Sequence, residues 1–555
     1  MYEELTKILL ENRGITDELE IDKFLNPSYE TGRHDPFLMK NMEIACVRIF
    51  EATQAGEKIV IYSDYDCDGI PGAVIIYDFF VKIGYKNFEI YIPDRQIEGY
   101  GLNMEAIPEF IKNEVKLLIT IDLGITAVKE VAELTVNGVD VIVTDHHIPP
   151  ADGLPLAYAI LNPKQDGDKY GEHMLCGAGV AFKLVEAMIF KYGEFFGISK
   201  DWEKWLLDMV GFATLSDQVP LLGENRTFAY FGLKVLRKNR RLGLARLMKD
   251  AGVDVSNITE DDIAFLLAPR INAASRMASP RLAFDLLSAT DEVQAENLAK
   301  ELNNINKERK ALVATTVREA KKNLQSREQR EVVVIGNPSW RPGILGLVAT
   351  RLVEEYNRPA FVWGKEGGDT IKGSCRSVEG VNIVHLMRSL PEKTLAGFGG
   401  HEGAGGFSVD FKEIHFLEDK LVECYKALNL IPRENGVKSK NFKIDKTMTL
   451  SEVNMKNWKQ IERLAPFGEG NPKPTFVFNG VKIARLRQFG KASEHLEIIF
   501  EDIFGGKVKA IQFFKTASDF TPSIFEGKMV NLVANFEFSR FGYKTEIRLR
   551  IVDIV

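Results

Sequence analysis

Short apolar runs in this chain stop, one after another, on acidic or imidazole residues, and no other feature restricts the fold as much. Residues 58–63 (KIVIYS) run into Asp64, 117–121 (LLITI) into Asp122, and 139–143 (VDVIV) into Thr144-Asp145-His146-His147. Between them, residues 73–83, 104–113 and 126–136 carry helical periodicity, and 88–92 (FEIYI) reads as another strand. Apolar strands alternating with helices specify βαβ units and a parallel sheet covered on both faces. Strands of such a sheet point the same way, so the residues following them gather at one edge, where ligands bind.

The residues brought to that edge are Ser63-Asp64-Tyr65-Asp66-Cys67-Asp68-Gly69, Ile121-Asp122-Leu123-Gly124 and the Asp-His-His triplet. A fourth acid, Asp217 in ATLSDQVPL, follows an apolar helical stretch. Crowded carboxylates repel one another unless a cation neutralises them. Carboxylate with imidazole suits Mn²⁺ or Mg²⁺, and two such ions about 4 Å apart can drive phosphoester hydrolysis. Taken singly, DxDxD also suits a calcium loop or a solvated turn, and Asp-His-His a strand-end turn. Four elements in order, each at a strand or helix end, make coincidence improbable. The five cysteines, Cys46, Cys67, Cys176, Cys375 and Cys424, never form a CxxC pair. They argue against a zinc site built on cysteine and for reduced thiols in a cytoplasm.

Residues 176–249 read as mainly helical. From Asp291 to about Arg330 the chain is polar, charged and free of Gly and Pro, which predicts a long helix joining two domains. A second α/β pattern starts at 331 (EVVVIG) and runs to about 430, and 435–445 is linker-like. Five β-rich runs follow, at 475–485, 494–501, 506–514, 528–538 and 542–553, as in an OB-fold barrel. Most phenylalanines there, Phe476 and Phe478 among them, are expected in its core. The net charge of −7 excludes a generally basic surface, so any nucleic-acid site must be a local patch. The polar, acidic start does not read as a leader, and no apolar run reaches about 18 residues.

The set DYDCDGI, TIDLGI, VTDHH and LSDQVPL resembles the four motifs of the DHH phosphoesterase superfamily. The resemblance implies two Mn²⁺ (or Mg²⁺) ions held by Asp64, Asp66, Asp122, His146 and Asp217. Asp68 and His147 would stand beside them, making Asp122, His146, His147 and Asp68 the catalytic group. Gly399-Gly400-His401 with Ala404 and Gly406 resembles the DHH-associated domain. Arg95 in PDRQIEGYG, Arg276 in PRINAASRM, Ser374 and Arg376 in KGSCRS, and LAPFGEGNPKPTF before the β-rich segment are similar to RecJ exonucleases. That similarity extends from ENRGI to the end of the β-rich segment, with no further C-terminal domain expected. It implies that Arg95, Arg276, Ser374, Arg376 and His401 bind the 5′ end and phosphates of DNA. Arginine forks suit that task, since they grip phosphate bidentately.

The expected architecture is α/β: an N-terminal segment with a DHH parallel-sheet domain (1–290), a connecting helix (291–330), a DHH-associated α/β domain (331–435) and an OB-fold barrel (436–555). The expected activity is metal-dependent 5′→3′ degradation of single-stranded DNA in recombination and repair, with no membrane and with a single-strand-binding protein and a helicase as partners. Two other readings stay open: a DHH phosphoesterase for short oligonucleotides or cyclic dinucleotides, and a non-catalytic DNA-binding homologue, which would lack metal ligands. Tyr62-Ser63 stands where many RecJ proteins have His-Gly, which leaves open how the second metal position is filled.

Overall fold

The computed structural model describes residues 3–95, 97–365, 370–430, 443–490, 493–520, 523–539 and 545–555. The chain divides into two compact units. One comprises Asp35–Asp217 and Gly232–Lys438, and the other comprises Met1–His34, Gln218–Phe231 and Ser439–Val555.

The first unit opens on a five-stranded sheet of β1 (Lys58–Ser63), β2 (Phe88–Tyr91), β3 (Val115–Ile121), β4 (Asp140–Thr144) and β5 (Ala159–Leu161). The order is β2-β1-β3-β4-β5, with every pairing parallel. Val60, Tyr62, Leu118, Val141 and Val143 pack into one core cluster. The alternating residues Ile59, Ile61, Leu117, Ile119 and Ile142 are equally buried. Both faces are therefore covered, which is why the sequence shows unbroken apolar runs. From β1 the connections leave in opposite directions, so a crevice opens at the carboxyl ends of β1 and β3.

A helical region follows, ending in the helix Glu292–Gln325, whose 34 residues span about 51 Å. Asp291 caps it by accepting a hydrogen bond from the Gln294 amide (2.8 Å). The helix contacts Leu242–Ala251, Ala268–Met277 and Pro342–Tyr356, and so ties the two α/β halves of this unit together. The turn of π-helix at Asp262–Leu267, ahead of the helix bearing Arg276, has no signal in the sequence pattern.

The second sheet contains β6 (Val333–Asn337), β7 (Ala360–Gly364), β8 (Thr370–Arg376), β9 (Gly397–His401) and β10 (Ala404–Asp410). Its order is β6-β7-β8-β10-β9, and only β6–β7 is parallel. Val334, Phe361, Ile371 and Cys375 fill one core, and Val333, Ile335, Ala360 and Val362 fill another. Period-2 alternation thus divides the sheet's residues between two faces.

In the other unit, β12 (Phe476–Phe489), β13 (His495–Glu501), β14 (Lys507–Gln512), β15 (Met529–Ser539) and β16 (Glu546–Ile554) close into a five-stranded barrel through the β12–β15 pairing, with the short β11 (Lys446–Thr447) added to β12. Phe476 and Phe478 are fully buried in it. Leu5, Leu9, Leu10, Phe24 and Leu25 share the same core cluster. The first 34 residues therefore group with the barrel, and not with the parallel-sheet domain to which the sequence reading assigned them. Their apolar stripes, spaced for helices, carry no mark of the partner they cover. The linker expected at 435–445 falls largely outside the described residues.

Arg241 lies between two helices of the first unit. Its Nε reaches Asp208 (2.7 Å) and its Nη2 reaches Asp78 (2.7 Å). Replacing it takes the ion-pair partner from one buried carboxylate, Asp208, and one half-buried carboxylate, Asp78. We expect Arg241→Met to lower unfolding stability by roughly 3–5 kcal/mol, measured by denaturant titration. Adding Asp78→Asn and Asp208→Asn should restore most of the loss.

Candidate metal and phosphate site

Each acid at the sheet edge is placed by the ladder itself. The Asp64 amide donates to Ile121 O (3.1 Å), the Asp122 amide to Thr144 O (2.9 Å) and the Asp145 amide to Leu161 O (3.0 Å). The backbone then bends sharply. Asp122 has φ 62°, a conformation L-residues rarely hold, and Gly124 has φ 111°. Strain at a non-glycine residue persists only where its surroundings enforce it, and it marks functional positions. Gly177 contributes by its lack of a side chain, since a Cβ there would lie 2.5 Å from Asp122 Cβ. Its helix, Gly177–Tyr192, aims its amino end at Asp68, whose carboxylate accepts from the amides of Gly177 (2.5 Å) and Ala178 (2.7 Å).

All five expected ligands meet. Three groups of side chains bring ligand atoms within 4.8 Å of one another: Asp64, Asp66 and Asp122; Asp68, His146 and Asp217; and Asp122, His146 and His147. His146 Nε2 lies 3.2 Å from Asp122, 3.6 Å from Asp68 and 3.9 Å from Asp217. Its Nδ1 is 2.9 Å from Leu175 O, so Nδ1 carries the proton and the Nε2 lone pair faces the acids. Burial, with His147 and Lys164 nearby, holds His146 below its ordinary value and keeps that lone pair free.

Burial and mutual repulsion raise the carboxyls of Asp64, Asp122 and Asp68. Asp217 is pushed up to about 8, by burial first and then by Asp68 and Asp66. Asp64 Oδ1 and Asp122 Oδ1 are buried without a hydrogen-bond partner. Buried, mutually repelling oxygens with nothing to accept from fit a divalent cation, and an oxygen-and-imidazole donor set fits Mn²⁺ or Mg²⁺.

His147 is held differently. Its Nδ1 meets Asp145 Oδ1 at 2.8 Å, and Asp145 also accepts from the amides of Ile125, His146 and His147. Burial alone would raise Asp145, but His147 and those amides bring it below the ordinary carboxylate range. Burial opposes the charged form of His147, yet Asp145 outweighs it and holds His147 above its usual value. Its Nε2 faces the Tyr100 hydroxyl (3.4 Å) and its ring lies parallel to that of His401 (6.2 Å).

The sequence reading missed Asp145, Tyr100 and Lys164, whose Nζ reaches His146 O at 2.5 Å. Asp145 stood in the quoted motif and could have been inferred from the need to orient a histidine. Nothing in the sequence marks Lys164. Tyr62 is no ligand here. Its buried hydroxyl donates to Gly101 O (3.0 Å) and accepts from Asn103 (3.0 Å), tethering the loop that carries Tyr100.

Two cavities adjoin the cluster. The larger, about 1310 Å³, holds the acids, both histidines and His401. The smaller, about 350 Å³, gathers Arg95, Arg276, Ser374 and Arg376 beside the first turn of the helix starting at Pro342. Arg276 is depressed by burial and by Arg95, Arg309 and Arg376. Massed cations at a helix amino end make an anion site. His401 lies in the larger cavity, where Arg95 alone of the other four phosphate candidates joins it.

Residues 58–214 match the DHH family, N-terminal domain; 317–427 match the DHHA1 domain; 444–553 match the RecJ OB domain. The chain is 34% identical over 551 residues to the single-stranded-DNA-specific exonuclease RecJ of Bacillus subtilis (strain 168), covering 99% of this chain and 67% of the relative. It is 30% identical over 557 residues to the protein of the same name from Haemophilus influenzae, covering 98% and 94%. The crystal structure of RecJ in complex with Mn²⁺ from Thermus thermophilus superposes with a TM-score of 0.80 at 27% identity, over 99% of this chain and 76% of that one. The parallel sheet and its acid–imidazole edge place the protein in the DHH class. Its second α/β domain and barrel narrow the class further. The chain belongs to the RecJ family.

The carboxyl shifts give a prediction for the metal-free protein. Asp217 titrates near 8 when folded, against an ordinary 3.8. The folded state keeps a proton that the unfolded chain has lost, so this contribution to stability is complete at low pH and declines up to about pH 8. With chelator present, the melting temperature should fall over that range, and Asp217→Asn should flatten the fall. Mn²⁺ should raise the melting temperature more at pH 8 than at pH 5.

Proposed function

We propose that this protein degrades single-stranded DNA from the 5′ end by divalent-metal-dependent hydrolysis. The observation that carries the reading is the adjacency of the two cavities, which share Arg95, Lys372, Gly373 and Gly406. One suits a terminal phosphate and the other a phosphodiester under attack.

Asp64, Asp66, Asp122, His146 and Asp217 would hold Mn²⁺ or Mg²⁺, with Asp68 and His147 beside them, and the three ligand groups suit two ions. When bound, the ions neutralise the carboxylates and supply Lewis-acid activation of water and phosphate. The protein contributes position and protons. Arg95, Arg276, Ser374 and Arg376 hold the 5′-phosphate and so fix which phosphodiester reaches the acids. Water adds to that phosphorus and the bond to O3′ of the terminal nucleotide breaks. The departing O3′ takes a proton, which His147, oriented and charged by Asp145, is placed to give. The released product is a 5′-mononucleotide. Breaking this bond leaves the phosphate on the shortened strand, so each cut regenerates the group that the arginine pocket grips.

A non-catalytic homologue would lack ligands, and here the set is complete. A hydrolase for short oligonucleotides has no need of a barrel. At one end of that barrel Phe489, His495 and Phe513 pack together beside the exposed Phe514, with Arg550 over Phe513 (4.1 Å). Such a surface can stack unpaired bases. All five cysteines are free, and among the described residues no helix is long and apolar enough to cross a membrane. We place the reaction in the cytoplasm, in recombination and repair, with a single-strand-binding protein and a helicase as partners.

The test is an Mn²⁺ assay on a single-stranded oligonucleotide with a 5′-phosphate, a 5′-hydroxyl or a blocked 5′ end. Shortening from the free 5′ end is expected, and Asp122→Ala should reduce it by more than about 100-fold. Arg376→Ala should raise KM on the 5′-phosphorylated strand roughly 10- to 100-fold, as for a lost charged hydrogen bond, and change the 5′-hydroxyl strand little. Shortening from the 3′ end would overturn the polarity. No cleavage with either ion would overturn the enzyme reading.

A further inference from the structure

Strand β8 presents a second cation, Lys372, on the same strand as Arg376. Along Thr370–Arg376, Ile371 and Cys375 are fully buried. Gly373 also faces that core, since a Cβ there would lie 2.1 Å from the Phe407 ring. Alternation therefore sends Lys372, Ser374 and Arg376 to the opposite face, and all three line the smaller cavity. The residues paired with them on β10, Ser408, Gly406 and Ala404, are small, which leaves this face open. The row from Lys372 to Arg376 spans four residue steps, about 13 Å of strand.

The two ends of the row differ in surroundings. Arg376 sits among arginines, donating to Ser374 Oγ (3.3 Å) and Cys375 O (2.8 Å), and lines the smaller cavity alone. Lys372 is exposed and lines both cavities, the one with the arginines and the one with Asp64, Asp66, Asp122 and His147. Arg95 is the only other cationic side chain common to both linings, and it comes from the other α/β half.

We propose that Lys372 contacts a non-bridging oxygen of the phosphodiester being cut, closing on it from the side opposite the acid cluster. This rests on the exonuclease reading above. A lysine suits the place: its compact ammonium on a long stem can follow a phosphate as charge builds on it, whereas the arginine forks fix the terminal group. Serving the scissile phosphate, Lys372 should act in the transition state more than in strand binding.

The test compares wild type, Lys372→Met and Lys372→Arg with Mn²⁺ on 5′-phosphorylated and 5′-hydroxyl oligonucleotides, with Mn²⁺-induced thermal shifts measured in parallel. We expect Lys372→Met to lower kcat roughly 100-fold on both strands, the scale of a lost transition-state donor. KM and the Mn²⁺ shift should hardly change, and Lys372→Arg should recover most of the rate. If Lys372→Met is poorly folded, Lys372→Gln is read by the same criteria. An unchanged kcat overturns the proposal, as does a KM rise confined to the 5′-phosphorylated strand, which would assign Lys372 to the terminal phosphate. A lowered Mn²⁺ shift would make the residue structural and overturn it too. If wild type itself cuts neither strand, the exonuclease reading fails, and this inference fails with it.

Discussion

The repulsion among carboxylates packed at one sheet edge governs the rest of this molecule. Asp64, Asp68 and Asp122 are almost wholly buried, and Asp66 and Asp217 stand beside them. Side chains left to themselves would separate. Asp64 and Asp122 are fixed through their backbones, by amides that extend the parallel ladder and by the left-handed turn at Asp122, and the Asp68 carboxylate is held by the helix amino end at Gly177. The sheet thus stores electrostatic energy that a divalent cation relieves. Covering both of its faces and pairing Arg241 with Asp78 and Asp208 stabilise the scaffold against that strain.

The smaller cavity is the inverse case. Arg95, Arg276 and Arg376 crowd a space beside a helix amino end, and burial makes their mutual repulsion count. An anion relieves it as a cation relieves the acids. A strand with a terminal phosphate and an internal phosphodiester brings one negative group to each place. On the proposed reading, the boundary between the cavities, lined on both sides by Arg95 and Lys372, is where chemistry and recognition would meet.

Legibility in the sequence followed the range of the interactions. Asp64, Asp122 and His146 were visible because strand ends are local features and parallel topology does the gathering. Asp145 was visible but unassigned, because its role depends on which atom of His147 it meets. Lys164 and Tyr100 reach the site from loops whose composition is ordinary, and the tether of Tyr62 to Gly101 and Asn103 follows from a hydroxyl's direction that no periodicity encodes. Leu5, Leu9 and Leu10 announced a helix face and gave no hint that its partner lies more than 400 residues away.

By itself the sequence determined the elements and their kinds: apolar runs, helical stripes, a long helix without breakers, and acids placed where strands end. These depend on backbone propensity and burial, which act over a few residues. Only the tertiary structure decided which strands became neighbours, that both halves of the first unit supplied the arginines, which nitrogen of each histidine faces the acids, and that Lys372 lies on the boundary of two cavities. Those outcomes are set by long-range packing and by the orientation of single bonds, and they emerge only when distant segments share one solvent-excluded space.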